Sequence, residues 1–296
     1  LFSALLSFYD ACARRRFHQD SPYNPKSGVV AALIAFDVKE GRMALGLSEK
    51  PQDTGAADRS TGQGLAPGRL SVLMPVFNER NTLTGLLARI QAVPLDKEIV
   101  IVDDASTDGT TDLLRTTIEG KFPDVRVLYH PVNQGKGAAI RTAIPHARGE
   151  FCIVQDGDLE YHPEDYPAIL AAFRDPAVGA VYGSRFLNGW PPMRLPNRIV
   201  NRLLAAMVRG MYGTPMTDEA TCYKAFRTEI LQGMRLNCRR FEFCPEVTAK
   251  TIRSGNRIVE VPIRYEARSF AEGKKIRWTD GVAAIWTLIR YRFGKL

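Results

Sequence analysis

Two aspartates two residues apart, Asp156 and Asp158, follow the short apolar run Phe151 to Gln155. On a turn just past a buried strand, both carboxylates converge on a hard divalent cation, and Mg2+ or Mn2+ suits such oxygen-only ligation beside diphosphate oxygens. A cation held there neutralises charge on a leaving diphosphate. Three further sets stand in the same relation to an apolar run. Pro75-Val76-Phe77-Asn78-Glu79 follows Leu70 to Met74, Asp103-Asp104 opens the loop after Glu98 to Val102, and Asn133-Gln134-Gly135-Lys136-Gly137 comes soon after Val125 to Tyr129. Asp103 and Asp104 offer acceptors to a nucleobase or ribose. Gly135 and Gly137 permit close backbone approach, and Lys136 reaches a phosphate or an acid, although a helix start that needs small residues accounts equally for the pattern. Any one of these sets is ordinary turn or capping chemistry. Four in succession at the ends of four apolar runs are not. Neither G-x-x-x-x-G-K-[ST] nor G-x-G-x-x-G is present, which argues against a nucleotide-hydrolysing P-loop and a dinucleotide fold.

The elements that must position these groups alternate regularly. Runs of strand character at Leu70–Met74, Glu98–Val102, Val125–Tyr129, Phe151–Gln155 and Val178–Tyr182 are separated by helix-period stretches at Thr82–Gln91, Thr110–Ile118, Gly137–Ala147 and Asp165–Phe173. This predicts an α/β fold, a mostly parallel central sheet flanked by helices, with ligands beyond the carboxyl ends of the strands. The stretch from Pro51 to Gly68, rich in Gly, Asp, Ser, Thr and Pro, reads as a linker. The expected organisation is therefore an extension of unassigned role over 1–68, with a hairpin across Val29 to Leu47, and a catalytic domain over 69–296.

The 296 residues, 45% apolar and 24% charged, are those of an ordinary globular chain, without an apolar run long enough to cross a bilayer. The apolar opening is followed by Arg14-Arg15-Arg16, the reverse of the charge order of a secretory signal, so no export signal is expected there. Five scattered cysteines without a C-x-x-C pair predict neither a zinc site nor a disulfide framework. Lys plus Arg minus Asp plus Glu is 19 − 23, or −4, up to Gly183 and 21 − 9, or +12, after it. A basic second half suggests a phosphate-rich partner.

Taken in order, Pro75-x-Phe77-Asn78-Glu79, Ile99-Val100-Ile101-Val102-Asp103-Asp104-x-Ser106-x-Asp108, Asn133-x-Gly135-x-Gly137 and Asp156-x-Asp158 resemble family 2 glycosyltransferases of the GT-A fold. Gly183-Ser184-Arg185, Thr217-Asp218, Phe241-Glu242-Phe243 and Glu260-Val261-Pro262-Ile263 are similar to the dolichyl- or polyprenyl-phosphate sugar synthase branch. The resemblance runs from Leu70 to the C-terminus. It implies inverting transfer of a sugar from a GDP- or UDP-sugar to a polyprenyl phosphate. Pro75, Phe77, Glu79, Asp103, Asp104 and Ser106 would then surround the nucleoside, Gly135 and Lys136 the phosphates, and Asp156 and Asp158 the metal. Glu160 stands where the mannosyl synthases often carry Gln, and is expected as a third ligand. Ala105 replaces a common Gly, and Cys222-Tyr223 a usual Gly-aromatic pair.

A phosphate acceptor is already a nucleophile and needs positioning and charge compensation more than a base. Arg185, Arg198 and Arg202 are expected to serve it, the last two one helical turn apart. Arg268 and the run Lys274-Lys275-Ile276-Arg277 resemble the family's basic segment near the donor and acceptor phosphates. Asp218 either orients an arginine or, were the acceptor a hydroxyl, acts as base with Glu219 as its alternate. The apolar faces of Asn197–Met211 and Gly281–Phe293, bordered by arginines, fit either core or a membrane interface. The expected setting is the cytoplasmic face of a membrane, reached peripherally or through a membrane-protein partner. Nucleic acid is not expected, because no reader motif accompanies the basic half.

Overall fold

A computed structural model describes residues 65–191, 193–267 and 278–294. The N-terminal extension with its expected hairpin, and the basic run containing Arg268, Lys274 and Lys275, lie outside the described residues. Seven strands, β1 (Ala66–Val76), β2 (Lys97–Asp103), β3 (Val125–Tyr129), β4 (Gly149–Val154), β5 (Val178–Ser184), β6 (Lys224–Arg227) and β7 (Arg257–Pro262), form one sheet in the order β3-β2-β1-β4-β6-β5-β7. All neighbours are parallel except β6, which runs antiparallel to β4 and β5. The expected first strand is longer than its apolar run. It begins at Ala66, three residues before the expected domain start, and Gly68 within it donates its N–H to Glu150 Oε2 at 2.7 Å.

The β-branched run Ile99 to Val102 is buried throughout, as a strand covered on both faces requires. Helices α1 (Leu83–Ala92), α2 (Thr110–Leu113), α3 (Lys136–Ala143) and α4 (Tyr166–Ala171) follow β1 to β4. The single helix expected over Thr110–Ile118 passes into a π turn at Leu114, and the one over Gly137–Ala147 tightens into a 3-10 turn at Ile144–His146, where Pro145 cannot donate to the helix ladder. The chain continues through α5 (Leu195–Tyr212), α6 (Thr228–Gln232), α7 (Phe243–Arg253) and α8 (Trp278–Phe293).

Register places the site. Val76 of β1 is level with Asp103 of β2, and Asp103 with Tyr129 of β3, while Leu73 of β1 is level with Val154 of β4. The four polar sets therefore leave the sheet along one edge. The short antiparallel β6 has no counterpart in the sequence reading, because four residues containing the buried Lys224 carry no strand periodicity. By inserting between β4 and β5, it brings Thr217 to Tyr223 to the same edge.

Candidate active site

At the ends of β1 and β2 the side chains are tied mainly to one another. Asp103 Oδ1 accepts from the hydroxyl and peptide N–H of Ser106 at 2.5 and 3.2 Å, and its Oδ2 from Thr111 Oγ1 at 2.5 Å. Ser106 Oγ in turn accepts from Asn78 N–H at 2.9 Å. Asn78 and Ala105 both lie in the left-handed region, at φ 53° and 59°, a strained conformation of the kind that gathers at functional sites. At Ala105 this accounts physically for the glycine common in the family the motifs resemble. Glu79 is buried beside the aspartate turn, its Oε2 accepting from Thr82 Oγ1 at 2.8 Å, while the same hydroxyl reaches Gly157 O at 3.0 Å. Pro75 belongs to β1, and Phe77 follows at the strand's end.

Asp104 holds the glycine loop. Its Oδ1 meets His130 Nδ1 at 2.7 Å and Gln134 N–H at 2.8 Å, and its Oδ2 accepts from Gly135 N–H at 2.7 Å. Both carboxylates expected at the nucleoside thus have oxygens committed to shaping the edge. Gly135, at φ 96°, packs against the backbone of Arg239, and a Cβ on Gly137 would stand 2.8 Å from Arg240 O. Ala138 N–H donates to Arg239 O at 3.0 Å, so the start of α3 is seated on the 239–240 segment.

Lys136 opens α3 and turns to Asp156, with Nζ 2.5 Å from Oδ1, 3.7 Å from Cys222 Sγ and 5.9 Å from the Phe241 ring centre. Burial opposes the charge on Lys136, but the neighbouring groups, Asp156 foremost among them, raise the ammonium pKa. Burial pushes the Cys222 thiol well up and the Cys244 thiol to about 11, so both stay protonated beside this pair. Asp158 is 9% exposed and accepts from Glu160 N–H at 3.1 Å. Glu160 departs from the expected triad: its Oε2 accepts from Tyr265 OH at 2.8 Å and its carbonyl from Glu266 N–H at 2.9 Å. Among the described residues no three His, Cys, Asp or Glu side chains gather as metal ligands. The segment after β7 thus holds Glu160 by its Oε2 and its carbonyl oxygen.

Across the edge, Arg185 at the end of β5 is locked to Asp218. Its Nε donates to Oδ2 and an Nη to Oδ1, both at 2.7 Å, and its peptide N–H reaches Oδ2 at 3.0 Å. Asp218 is fully buried; desolvation opposes the guanidinium charge, and Asp218, with lesser help from Tyr161 and Tyr265, nonetheless raises its pKa. Of the two roles open to Asp218, the geometry has it orienting an arginine. Its alternate Glu219 is also fully buried, with Oε1 3.3 Å from Thr248 Oγ1 and Oε2 without a partner. Arg185 lies over the Tyr265 ring at 5.0 Å. Arg198 and Arg202 share a face of α5 as expected, both set against the Trp190 ring at 5.4 and 5.0 Å. Sequence reasoning passed over Tyr265, Trp190 and Lys224. Only the charged Lys224 and Glu260, placed among apolar strand residues, left a visible signal.

Comparison with known proteins decides the family. The model of glycosyl transferase family 2 matches residues 71–234, more than half of the chain. The chain is a family 2 glycosyltransferase. This glycosyltransferase is 31% identical over 248 residues to an undecaprenyl-phosphate mannosyltransferase of Micrococcus luteus, covering 76% of this chain and 99% of that one. It is 30% identical to a dolichol-phosphate mannosyltransferase of Pyrococcus furiosus over 70% of its own length, and spans 59% of that relative. Its fold matches glucosyl-3-phosphoglycerate synthase of Mycobacterium tuberculosis, solved with Mn2+ and UDP, at a TM-score of 0.58 and 19% identity over 77% of this chain and 81% of that one. The sheet and its helices are accordingly those of the GT-A glycosyltransferases.

Proposed function

We propose that this glycosyltransferase moves a sugar, with inversion, from a nucleoside-diphosphate sugar to a polyprenyl phosphate. The observation that carries the reading is the Arg185–Asp218 pair. The carboxylate best placed to serve as a base has both oxygens taken up by a guanidinium, and Glu219 behind it is fully buried. A hydroxyl acceptor would need such a base; a phosphate needs a cation to receive it. The relatives named above, with their undecaprenyl- and dolichol-phosphate acceptors, support the same class.

The acceptor phosphate meets the guanidinium of Arg185, with Arg198 and Arg202 adding positive charge on the following helix. Its oxygen attacks the anomeric carbon from the side opposite the diphosphate, and the bond from that carbon to the diphosphate oxygen breaks, carrying its electron pair away. The residues present fit a divalent cation, since Asp156 and Asp158 are hard oxygen donors on one turn and Mg2+ or Mn2+ commonly takes only one or two carboxylates beside substrate phosphates. When bound, the cation acts as a Lewis acid on the leaving diphosphate. Lys136 adds charge compensation from the start of α3, and Phe77, Glu79 and the Asp103–Ser106 turn border the nucleoside side. The basic run with Arg268, Lys274 and Lys275 belongs to the same reading as a further source of charge for the phosphates.

Access to a lipid is supported by two helices. No helix among the described residues is long and apolar enough to cross a membrane. Leu187 and Trp190 before α5, Leu195 and Ile199 in its first turns, and Val282, Trp286 and Phe293 on α8 are exposed. The two helices are joined by Tyr212 OH to Leu288 O and Arg292 Nε to Met211 O, both at 2.6 Å. We read them as a peripheral contact with the membrane that holds the acceptor.

The test pairs GDP- and UDP-sugars, Mn2+ or Mg2+ and a short polyprenyl phosphate with the wild type and Asp158→Ala. A metal-dependent lipid-phosphate sugar, reduced at least ~100-fold in the variant, is expected. Donor turnover that yields a glycosylated hydroxyl compound and no lipid product would overturn the acceptor assignment.

A further inference from the structure

Glu260 falls on the same face of β7 as the buried Ile258, an unusual place for a charge. Its carboxylate is spent on one turn. Oε2 accepts from the peptide N–H of Thr217 at 2.7 Å and from its hydroxyl at 2.9 Å, and Oε1 from Asp218 N–H at 2.8 Å. The turn so held carries the carboxylate that grips Arg185 at three points. Thr217 Oγ1 also lies 2.6 Å from Ser184 Oγ, which accepts from Phe186 N–H at 3.2 Å, so the residues on either side of Arg185 are tied to the same turn. The parallel pairing of Ser184 with Pro262, and Ile263 N–H to Ser184 O at 3.1 Å, fix the strand that bears Glu260 against the strand that bears Arg185.

We propose that Glu260 is a positioning residue for transfer. It sets the backbone of Thr217 and Asp218, Asp218 sets the guanidinium plane, and Arg185 thereby meets the anionic acceptor in one orientation. This rests on the reading above in which Arg185 receives the acceptor phosphate. A carboxylate is needed because three donors converge on two oxygens; an amide there would turn N–H groups toward one of them and leave it unsatisfied. Tyr265 carries the arrangement onward, since its ring lies under Arg185 and its hydroxyl holds Glu160 beside the aspartate turn. The acceptor side and the metal side are thus braced on the same two segments, β7 with the residues that follow it.

The experiment is a double-mutant cycle of Glu260→Gln and Arg185→Lys in the full chain. Nucleotide affinity is read by calorimetry, donor hydrolysis without acceptor by product release, and transfer as kcat and acceptor KM. Glu260→Gln is expected to keep nucleotide affinity and hydrolysis within about twofold while transfer kcat/KM falls on the order of 100-fold, the cost of an ångström-scale misplacement. The double variant is expected to fall no more than about threefold below Arg185→Lys alone, because both changes remove one function. Transfer at the wild-type rate in Glu260→Gln, an equal loss of donor affinity, or multiplied effects in the double variant would each overturn the proposal. Thr217→Val, which removes one of the three bonds to Glu260 together with the contact to Ser184 Oγ and keeps both peptide donors, stands in if Glu260→Gln does not fold. It is expected to lose about tenfold in the same pattern, and unchanged transfer again overturns it. If the wild type glycosylates a hydroxyl compound instead, the acceptor assignment fails, and the same cycle run with that compound still decides Glu260.

Discussion

At the scale of single residues, the acids along this edge divide by what surrounds them. Asp103, Asp104, Asp218 and Glu260 hold backbone or a guanidinium, whereas Asp156 pairs with the Lys136 ammonium and Asp158 accepts from Glu160 N–H on the turn read as the cation site. Glu219 belongs to neither group. Burial raises its pKa from the ordinary 4.5, and the nearby Lys224 charge and the Thr248 hydroxyl only partly oppose that, with Asp218 adding to the rise and Arg185 opposing it. A carboxyl whose folded pKa is raised binds its proton more tightly in the native state. Its contribution to stability is then greatest below the unfolded value and is lost as pH rises through the folded one. Glu219→Gln, which cannot ionise, should therefore gain on the wild type as pH rises from about 4.5 toward neutrality. Denaturant melts of both proteins at pH 4, 5.5 and 7 measure this, and a difference independent of pH contradicts it.

Among the elements, the glycine loop before α3 shows how little room the start of that helix leaves. Asp104 draws in the N–H groups of Gln134 and Gly135, while the 239–240 backbone closes the other side. Gly135→Ala adds a Cβ at positive φ and against that backbone, two penalties that no rotamer can relieve. It should lower stability by about 2 kcal/mol or more and weaken nucleotide binding as the start of α3 is displaced. Melting temperature and nucleotide affinity, measured together, check this; wild-type values for both would mean that the 239–240 segment yields freely. The residues just before that segment are held by Glu246 of α7, which accepts from the N–H groups of Asn237 and Cys238 and from Tyr291 OH of α8. The loop that shapes the donor side is therefore tied to the helix read as meeting the membrane.

For the whole molecule, that helix makes the prediction. Trp286 and Phe293 are 63% and 80% exposed on α8, with Arg290 and Arg292 nearby in the last turn. Apolar side chains flanked by guanidinium groups bind an anionic bilayer surface by partition and by charge. Replacing both Trp286 and Phe293 with Asp should reduce sedimentation with anionic vesicles by about tenfold or more, and raised salt should weaken the wild type in the same assay. Turnover of a short water-soluble prenyl phosphate should stay close to wild type. Equal vesicle binding by the variant would remove α8 from the membrane contact.

Five of the seven described strands, the parallel character of the sheet and the edge bearing the polar sets were legible in the sequence, because buried parallel strands leave unbroken apolar runs and their ends must be polar; β6 and β7 were not. Arg198 and Arg202 on one face followed from helical periodicity alone. The family motifs singled out Arg185, Asp218, Asp156 and Asp158 but carried no account of which partner each would take. That was decided by contacts between residues far apart in the chain: Lys136 with Asp156, Arg185 with Asp218, Glu160 with Tyr265, and Glu260 with the turn at Thr217. Periodicity reports which face of an element is buried and nothing about what it meets there. Pairing across the sheet depends on β6 entering antiparallel between β4 and β5 and on β7 closing against β5, and those placements exist only once the chain has folded.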